Sequence, residues 1–277
     1  PDFDPNQRKK ITDKTFINRA TKGVYEFGSV FKTLTLAAAF DDKIIEPETQ
    51  FEDLPKNLTC AGFPIREYDN KIPSTLTAEQ ILIRSGNIGS VKIGQMIGEE
   101  KFKLFLSKVD VLQKIDFDIE ETGKPIEFTW GKCPLATASF GHGITTTLLQ
   151  LTKAYSILAN GGYNIQPKLI KETKKIKKEK ILDQKVSEKI LPILRKIVTT
   201  KEGTASLANV PGYEIGGKTG TAQKSISGIY TKKKINSFIS VFPISKPKFV
   251  LAVMLDEPKL NENYVYHYRD GSNIKYK

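Results

Sequence analysis

Serine and lysine side chains recur in this chain at a spacing that serves nucleophilic catalysis. A serine stands three residues ahead of a lysine at Ser29/Lys32, Ser245/Lys248 and Ser272/Lys275. On a helix, residues three apart share a face, so the lysine amine reaches the serine hydroxyl and, when neutral, takes its proton. Only Ser29 opens a strongly apolar run, SVFKTLTLAAAF, ending at Phe40. There Lys32 is expected to be partly desolvated, which lowers an amine pKa, and a helix N-terminus favours negative charge near Ser29. The other two pairs sit in polar turns. Taken alone, Ser29 reads equally well as an ordinary helix cap.

Two further constellations can join it. Ser85-Gly86-Asn87 is the only S-x-N of the chain; from a loop, its hydroxyl and carboxamide can face one cavity as proton relay and amide clamp, or simply mark a helix stop. Lys218-Thr219-Gly220-Thr221 contains the only K-T-G, and Gly216 and Gly217 precede it at the end of a strand pattern. Glycines admit a second backbone at close range, so an extended peptide can add to that edge, with Lys218 drawing its terminal carboxylate. The plain alternative is a glycine-rich turn with solvated polar groups.

These residues need elements to hold them. Ser29 to Phe40 reads as a buried helix. Residues 41 to 73 read as loops and short elements, from their proline and glycine spacing. Leu76 to Arg84 reads as a short helix capped by Thr77 with Glu79 in its first turn, running into Ser85. Ile88 to Ile97 and Glu100 to Val109 are amphipathic at helical period, and Thr145 to Asn160 ends on Gly161-Gly162, a left-handed stop. A helix is expected over Ser187 to Val198. Strands are expected over Tyr213 to Gly220, Asn236 to Pro243 and Phe249 to Asp256, the last two joined by a hairpin-like Ser245-Lys246-Pro247. No repeat of solenoid length is visible.

With 277 residues, of which 39% are hydrophobic and 27% charged, the chain can bury a full core. The net charge of +12 fits an anionic envelope surface or a carboxylate substrate as well as nucleic acid. The lysines clustered at Lys171 to Lys180 and at Lys232 to Lys234 read as solvated charge, so no nucleic-acid partner is inferred. Cys60 and Cys133, with His142 and His267 as the only imidazoles, give no zinc spacing, and neither a metal nor a cofactor is expected. The isolated cysteines read as unpaired buried thiols in preference to a single disulfide. No apolar run reaches the ~18 residues that span a bilayer, and the chain reads as a fragment of a longer protein.

The order S-x-x-K, S-x-N, K-T-G is the signature of penicillin-binding proteins and serine β-lactamases. The flanking segments narrow it: Tyr25-Glu26-Phe27-Gly28-Ser29, Ser139-Phe140-Gly141-His142-Gly143, Leu149-Gln150-Leu151-Thr152-Lys153-Ala154-Tyr155, Leu158-Ala159-Asn160-Gly161-Gly162, Gly217 to Gln223, and Asp256-Glu257-Pro258. Together they resemble the class B penicillin-binding proteins, the septal cell-division transpeptidase in particular, over about residues 1 to 258. Phe27 stands where the family usually has proline, and the family's Tyr-Gly-Gly turn and closing helix are not evident after Pro258, where Tyr264 to Lys277 reads as polar loop.

The resemblance implies an α+β fold of the penicillin-binding protein/serine β-lactamase type, an antiparallel sheet covered by helices with an inserted all-helical lobe. One transpeptidase domain is expected over 1–277, with a mainly helical lobe at 33–144 and a sheet-containing lobe from 1–32 and 145–277. It implies that Lys32 activates Ser29 against the penultimate D-Ala carbonyl of a stem peptide, with the N–H groups of Ser29 and Thr221 on the oxyanion. Ser85 and Lys218 would return the proton, Asn87 would bind the substrate amide, and Thr219, Gly220 and Thr221 would form the substrate-binding edge. His142 reads as a loop residue and not as a base. Implied partners are a stem peptide ending in D-Ala-D-Ala, β-lactams, a septal glycosyltransferase and other division proteins. The implied location is the periplasm, on a bacterial inner-membrane anchor outside this fragment. A D,D-carboxypeptidase, a β-lactamase and a non-catalytic penicillin-sensing or scaffold domain are the alternatives.

Overall fold

A computed structural model describes residue 6 and residues 17–171, 179–226, 229–259, 265–267 and 273–275. Most of the Lys171 to Lys180 cluster and Ser272 lie outside the described residues. Strand β1 (Val24–Tyr25) leads to a single 3-10 turn, Gly28–Val30, and only then does α1 (Phe31–Asp41) begin. The expected helix is present, but Ser29 sits in the tighter turn before it. Residues 31 to 40 of α1 are all buried, as suits a helix apolar on every side. Its polar side chains find partners: the Thr35 hydroxyl donates to the Ser139 carbonyl at 2.8 Å, and Tyr155 donates to the Thr33 hydroxyl at 2.9 Å.

Short strands follow. β2 (Gln50–Phe51) pairs with β5 (Leu76–Thr77), and β3 (Asn57–Cys60) forms a hairpin with β4 (Phe63–Arg66). α2 (Ala78–Ile83) starts at the expected Thr77 cap, whose hydroxyl accepts the Gln80 N–H while the Gln80 side chain takes the Thr77 N–H. α3 (Asn87–Ile97) and α4 (Glu99–Lys108) meet at Gly98. α5 (Lys132–Ala138) was not foreseen; seven residues following Gly131 are too few to show a period. β6 (Thr146–Thr147) pairs with β1, so α6 (Leu148–Ala159) begins three residues later than the pattern implied. Thr147 caps it through the same reciprocal bonds, here with Gln150.

α7 (Gln184–Thr199) starts three residues before the expected Ser187, because the Asp183 carboxylate caps it by accepting the Lys185 N–H at 3.0 Å. Between α6 and α7, residues 165 to 170 form neither helix nor strand. The main sheet is antiparallel in the order β7-β8-β9, from β7 (Gly216–Ile226), β8 (Ile229–Phe242) and β9 (Phe249–Asp256). α7 packs on β7 and α6 on β8 and β9. The first two strands form a longer hairpin than expected, and Lys232 to Lys234 lie exposed along it. The chain turns at Ser245 between β8 and β9, as the sequence implied. Where a polar loop was expected, β10 (Val265–His267) pairs with β11 (Asn273–Lys275).

Cys60 and Cys133 form a disulfide, with 5.5 Å between their Cα atoms, against the expectation of free thiols. The bond closes because the β3–β4 hairpin lies beside α5, a juxtaposition of residues 73 apart in sequence that no spacing rule reveals.

Candidate active site

Ser29 is placed by close backbone approach. Gly28 adopts a left-handed φ of 57°, donates its N–H to the Gly141 carbonyl at 3.2 Å, and a Cβ there would lie 2.4 Å from the Thr221 carbonyl oxygen. From the other side, a Cβ on Gly220 would lie 2.3 Å from the Phe27 carbonyl oxygen. Only glycine lets the turn carrying Ser29 lie this close to β7. Gly220, expected at the substrate edge, therefore lines the cleft and also sets the strand's distance from the nucleophile. Phe27, in the position of the family's proline, is fully buried and meets Tyr25 edge to face at 6.0 Å.

Lys32 is buried one helical turn on. Its amine donates to the Ser85 carbonyl at 2.5 Å, to the Ser85 hydroxyl at 3.2 Å and to Asn87 Oδ1 at 2.6 Å. Burial lowers its pKa from 10.5 to about 7, and the negative charge of Glu67 opposes that fall. An ammonium has three donors, and these three acceptors satisfy all of them.

Ser85 terminates α2 in the left-handed region, with φ 57°. A non-glycine residue pays strain there, of order 1–3 kcal/mol, and such strain gathers at functional sites. The conformation turns its hydroxyl between two amines, since Lys218 also donates to the Ser85 hydroxyl, at 2.9 Å, and to the Thr219 carbonyl at 3.0 Å. Lys218 has no solvent exposure. Its pKa is held well below the ordinary lysine value, first by burial and then by the charge of Lys32.

Asn87 opens α3. Its Nδ2 donates to the Arg66 carbonyl at 2.7 Å and its backbone N–H to Glu67 at 2.6 Å. The Thr219 hydroxyl lies 2.9 Å from that of Thr204, and Thr221 is exposed along β7. Seven of the eight anticipated site residues, Ser29, Ser85, Asn87, Thr219, Gly220 and Thr221 on its wall and Lys218 through Ser85, thus converge on one cavity of about 480 Å³, and Lys32 joins them from below.

Tyr68, Phe140, His142, Thr204 and Gln223 also line it, and sequence reasoning missed them. His142 lies on a loop as expected, but its ring faces the cleft. It stacks on Tyr230 at 4.5 Å, and its Nδ1 lies 3.7 Å from Glu26. Ser245 is remote from this cleft, hydrogen-bonded to Glu214 on the exposed hairpin. Among the described residues, no group of three histidines, cysteines or carboxylates is placed to hold a metal ion, and no helix is long and apolar enough to cross a membrane.

A strained serine wedged between two buried lysines lies on the same cleft as a second serine at the foot of an apolar helix, on an α+β fold. The family profile for the penicillin-binding protein transpeptidase domain matches residues 1–272, and the chain belongs to that family. It is 28% identical over 275 residues to a probable peptidoglycan D,D-transpeptidase FtsI of Caulobacter vibrioides, covering 95% of this chain and 46% of that protein. It is 31% identical over 268 residues to a probable peptidoglycan D,D-transpeptidase PenA of Neisseria flavescens, covering 95% and 66%. The transpeptidase domain of Burkholderia pseudomallei penicillin-binding protein 3 superposes with a TM-score of 0.81 at 28% identity, covering 87% of this chain and 74% of that one. The chain thus spans about half to two thirds of the curated relatives it matches.

Proposed function

We propose that this domain is a serine D,D-transpeptidase that cross-links peptidoglycan during cell division. The observation that carries the reading is the Ser85 hydroxyl accepting from both Lys32 and Lys218 at the floor of the cleft that Ser29 lines. Two buried ammonium groups this close repel, which favours keeping one amine neutral. With its pKa near 7, Lys32 supplies that base at neutral pH, where the deprotonated amine gives up one of its three donations and can turn the freed lone pair to Ser29.

Lys32 then takes the Ser29 proton as the oxygen attacks the penultimate D-Ala carbonyl. The N–H groups of Ser29 and Thr221 hold the oxyanion. The C–N bond breaks, and D-Ala leaves with a proton relayed through Ser85, whose hydroxyl Lys218 holds in place by donating to it. Asn87 retains one free N–H for the stem-peptide amide, and Thr219 and Thr221 meet the carboxylate. An amine of a neighbouring stem attacks the ester, loses its proton and forms the cross-link, returning the Ser29 hydroxyl. β-Lactams follow the first half of this course and remain attached.

The names of the relatives support the substrate class, and the disulfide fits an oxidising compartment such as the periplasm. A membrane anchor outside this fragment, a septal glycosyltransferase and other division proteins complete the reading by family resemblance. The test supplies a D-Ala-D-Ala-terminated peptide donor with an amine acceptor. D-Ala and a new amide should appear together, and both should vanish in Ser29→Ala; donor that stays intact with the unaltered protein overturns the reading.

A further inference from the structure

The catalytic cleft is held on two sides by segments that one disulfide joins. On the first side, β4 ends at Arg66 and the next residue is Glu67. The Glu67 carboxylate accepts the first two N–H groups of α3, from Asn87 at 2.6 Å and Ile88 at 2.9 Å, while the Arg66 carbonyl takes the Asn87 side chain. Asn87 in turn accepts from Lys32. On the second side, α5 runs into Ser139 to His142, where the Ser139 carbonyl accepts from Thr35 on α1 and the Gly141 carbonyl from the N–H of Gly28 beside Ser29.

The hairpin that presents Glu67 has little core of its own. Of its eight strand residues only Ile65 is buried, and Phe63 is 76% exposed. A two-stranded ribbon of this kind is marginal alone. Cys60, the last residue of β3, fastens its turn to Cys133 on α5.

We propose that Glu67 is a positioning residue that fixes Asn87 against Lys32, and that the Cys60–Cys133 bond holds it there, so that reduction of the bond loosens the clamp. The inference builds on the assignment of Lys32 as the base. The charged groups acting on this amine are Glu67, from the β4 side, and Lys218, from β7. Glu67 favours the ammonium form; withdrawing it lets burial act unopposed and drives the Lys32 pKa lower still. Reduction takes two electrons and two protons from a dithiol such as dithiothreitol, which leaves as its cyclic disulfide and yields two cysteine thiols.

The test reads Lys32 directly, by NMR titration of protein carrying 13C at lysine Cε, with the resonance assigned through Lys32→Arg. In Glu67→Gln the midpoint should fall by about 0.5 in pH, the scale of one partly screened charge. Dithiothreitol should lower it in the same direction in the unaltered protein and add nothing in Glu67→Gln. Cys60→Ala/Cys133→Ala repeats the reduced case without reagent and serves if Glu67→Gln does not fold. Identical titrations of the oxidised and reduced folded protein overturn the proposal, as does loss of the far-ultraviolet circular dichroism on reduction, which would make the bond a support of the whole fold. Failure of β-lactam acylation alongside the expected shifts would instead count against the transpeptidase reading alone.

Discussion

Lys32 of α1 and Lys218 of β7 converge on a single oxygen. Their amines donate to the Ser85 hydroxyl at 3.2 and 2.9 Å, and neither side chain is more than 1% exposed. With both amines donating, that hydroxyl accepts twice and keeps its own hydrogen to give. It is therefore suited to pass a proton, whereas Lys32, at the end of the turn from Ser29, is suited to take the first one.

Replacing Lys32 by arginine should separate charge from basicity. Arginine keeps the cation but is never neutral near pH 7, so Lys32→Arg should lose about two to three decades in the rate of acylation by penicillin, the range for a lost general base. In the unaltered protein that rate should rise with pH through about 7, where Lys32 gives up its proton. Stopped-flow acylation across pH 5 to 9 decides it. Near-normal acylation by the arginine variant, or a rate flat across that range, would remove Lys32 from the role of base.

The same burial costs stability. The folded-state pKa of Lys32 is about 7 against 10.5 for the free side chain, so between those values the unfolded chain binds more protons and stability rises with pH. Below about 7 both states are protonated, and the folded protein carries the full cost of a buried cation. Lys32→Met, similar in shape and uncharged, should accordingly be the more stable protein, by up to a few kcal/mol at pH 6, with the advantage shrinking as pH climbs toward 10. Chemical denaturation of both proteins at a series of pH values measures the difference. A gap that stays constant or widens with pH would contradict the assigned burial cost.

Much of this site was legible because its residues come in short local groups. Ser29 and Lys32 are one helical turn apart, Ser85 and Asn87 share one loop, and Lys218 to Thr221 form a single strand segment. Thr77 and Thr147 each stand three residues before the glutamine that completes the cap, a signal written in neighbouring positions. Glu67 and Cys133 had no such signal. Their partners lie 20 and 73 residues away, and the contacts exist only because a hairpin folds over α3 and α5. The extension of β7 through Gln223, Lys224 and Ser225 was missed for a related reason: these polar residues show no alternation, and their strand is defined by the ladder to β8. Ser29 was misjudged by one element boundary, since the register of Gly28 between Gly141 and Thr221 forces the tight turn ahead of the helix.

The fate of the acyl ester separates a cross-linking enzyme from a β-lactamase. Rapid hydrolysis needs a general base, such as a carboxylate, that activates water against the ester, an effect of about 10²–10⁴. Serines, threonines, glycines, aromatics, Asn87, His142, Gln223 and Ala222 line the cleft, and no aspartate or glutamate is among the described lining residues. Two carboxylates beside the cleft are already committed. Glu67 caps α3, and Glu26 takes the Gly143 N–H and the Tyr230 hydroxyl. The ester must then wait for an amine nucleophile, and the penicilloyl adduct should persist for many minutes. After acylation and removal of free drug, intact-protein mass spectrometry should show the adduct decaying on that scale. Loss within seconds, with continued turnover of penicillin, would reassign the domain to drug hydrolysis and single out His142, the one titratable ring besides Tyr68 on the cleft wall, as the group to examine for water activation.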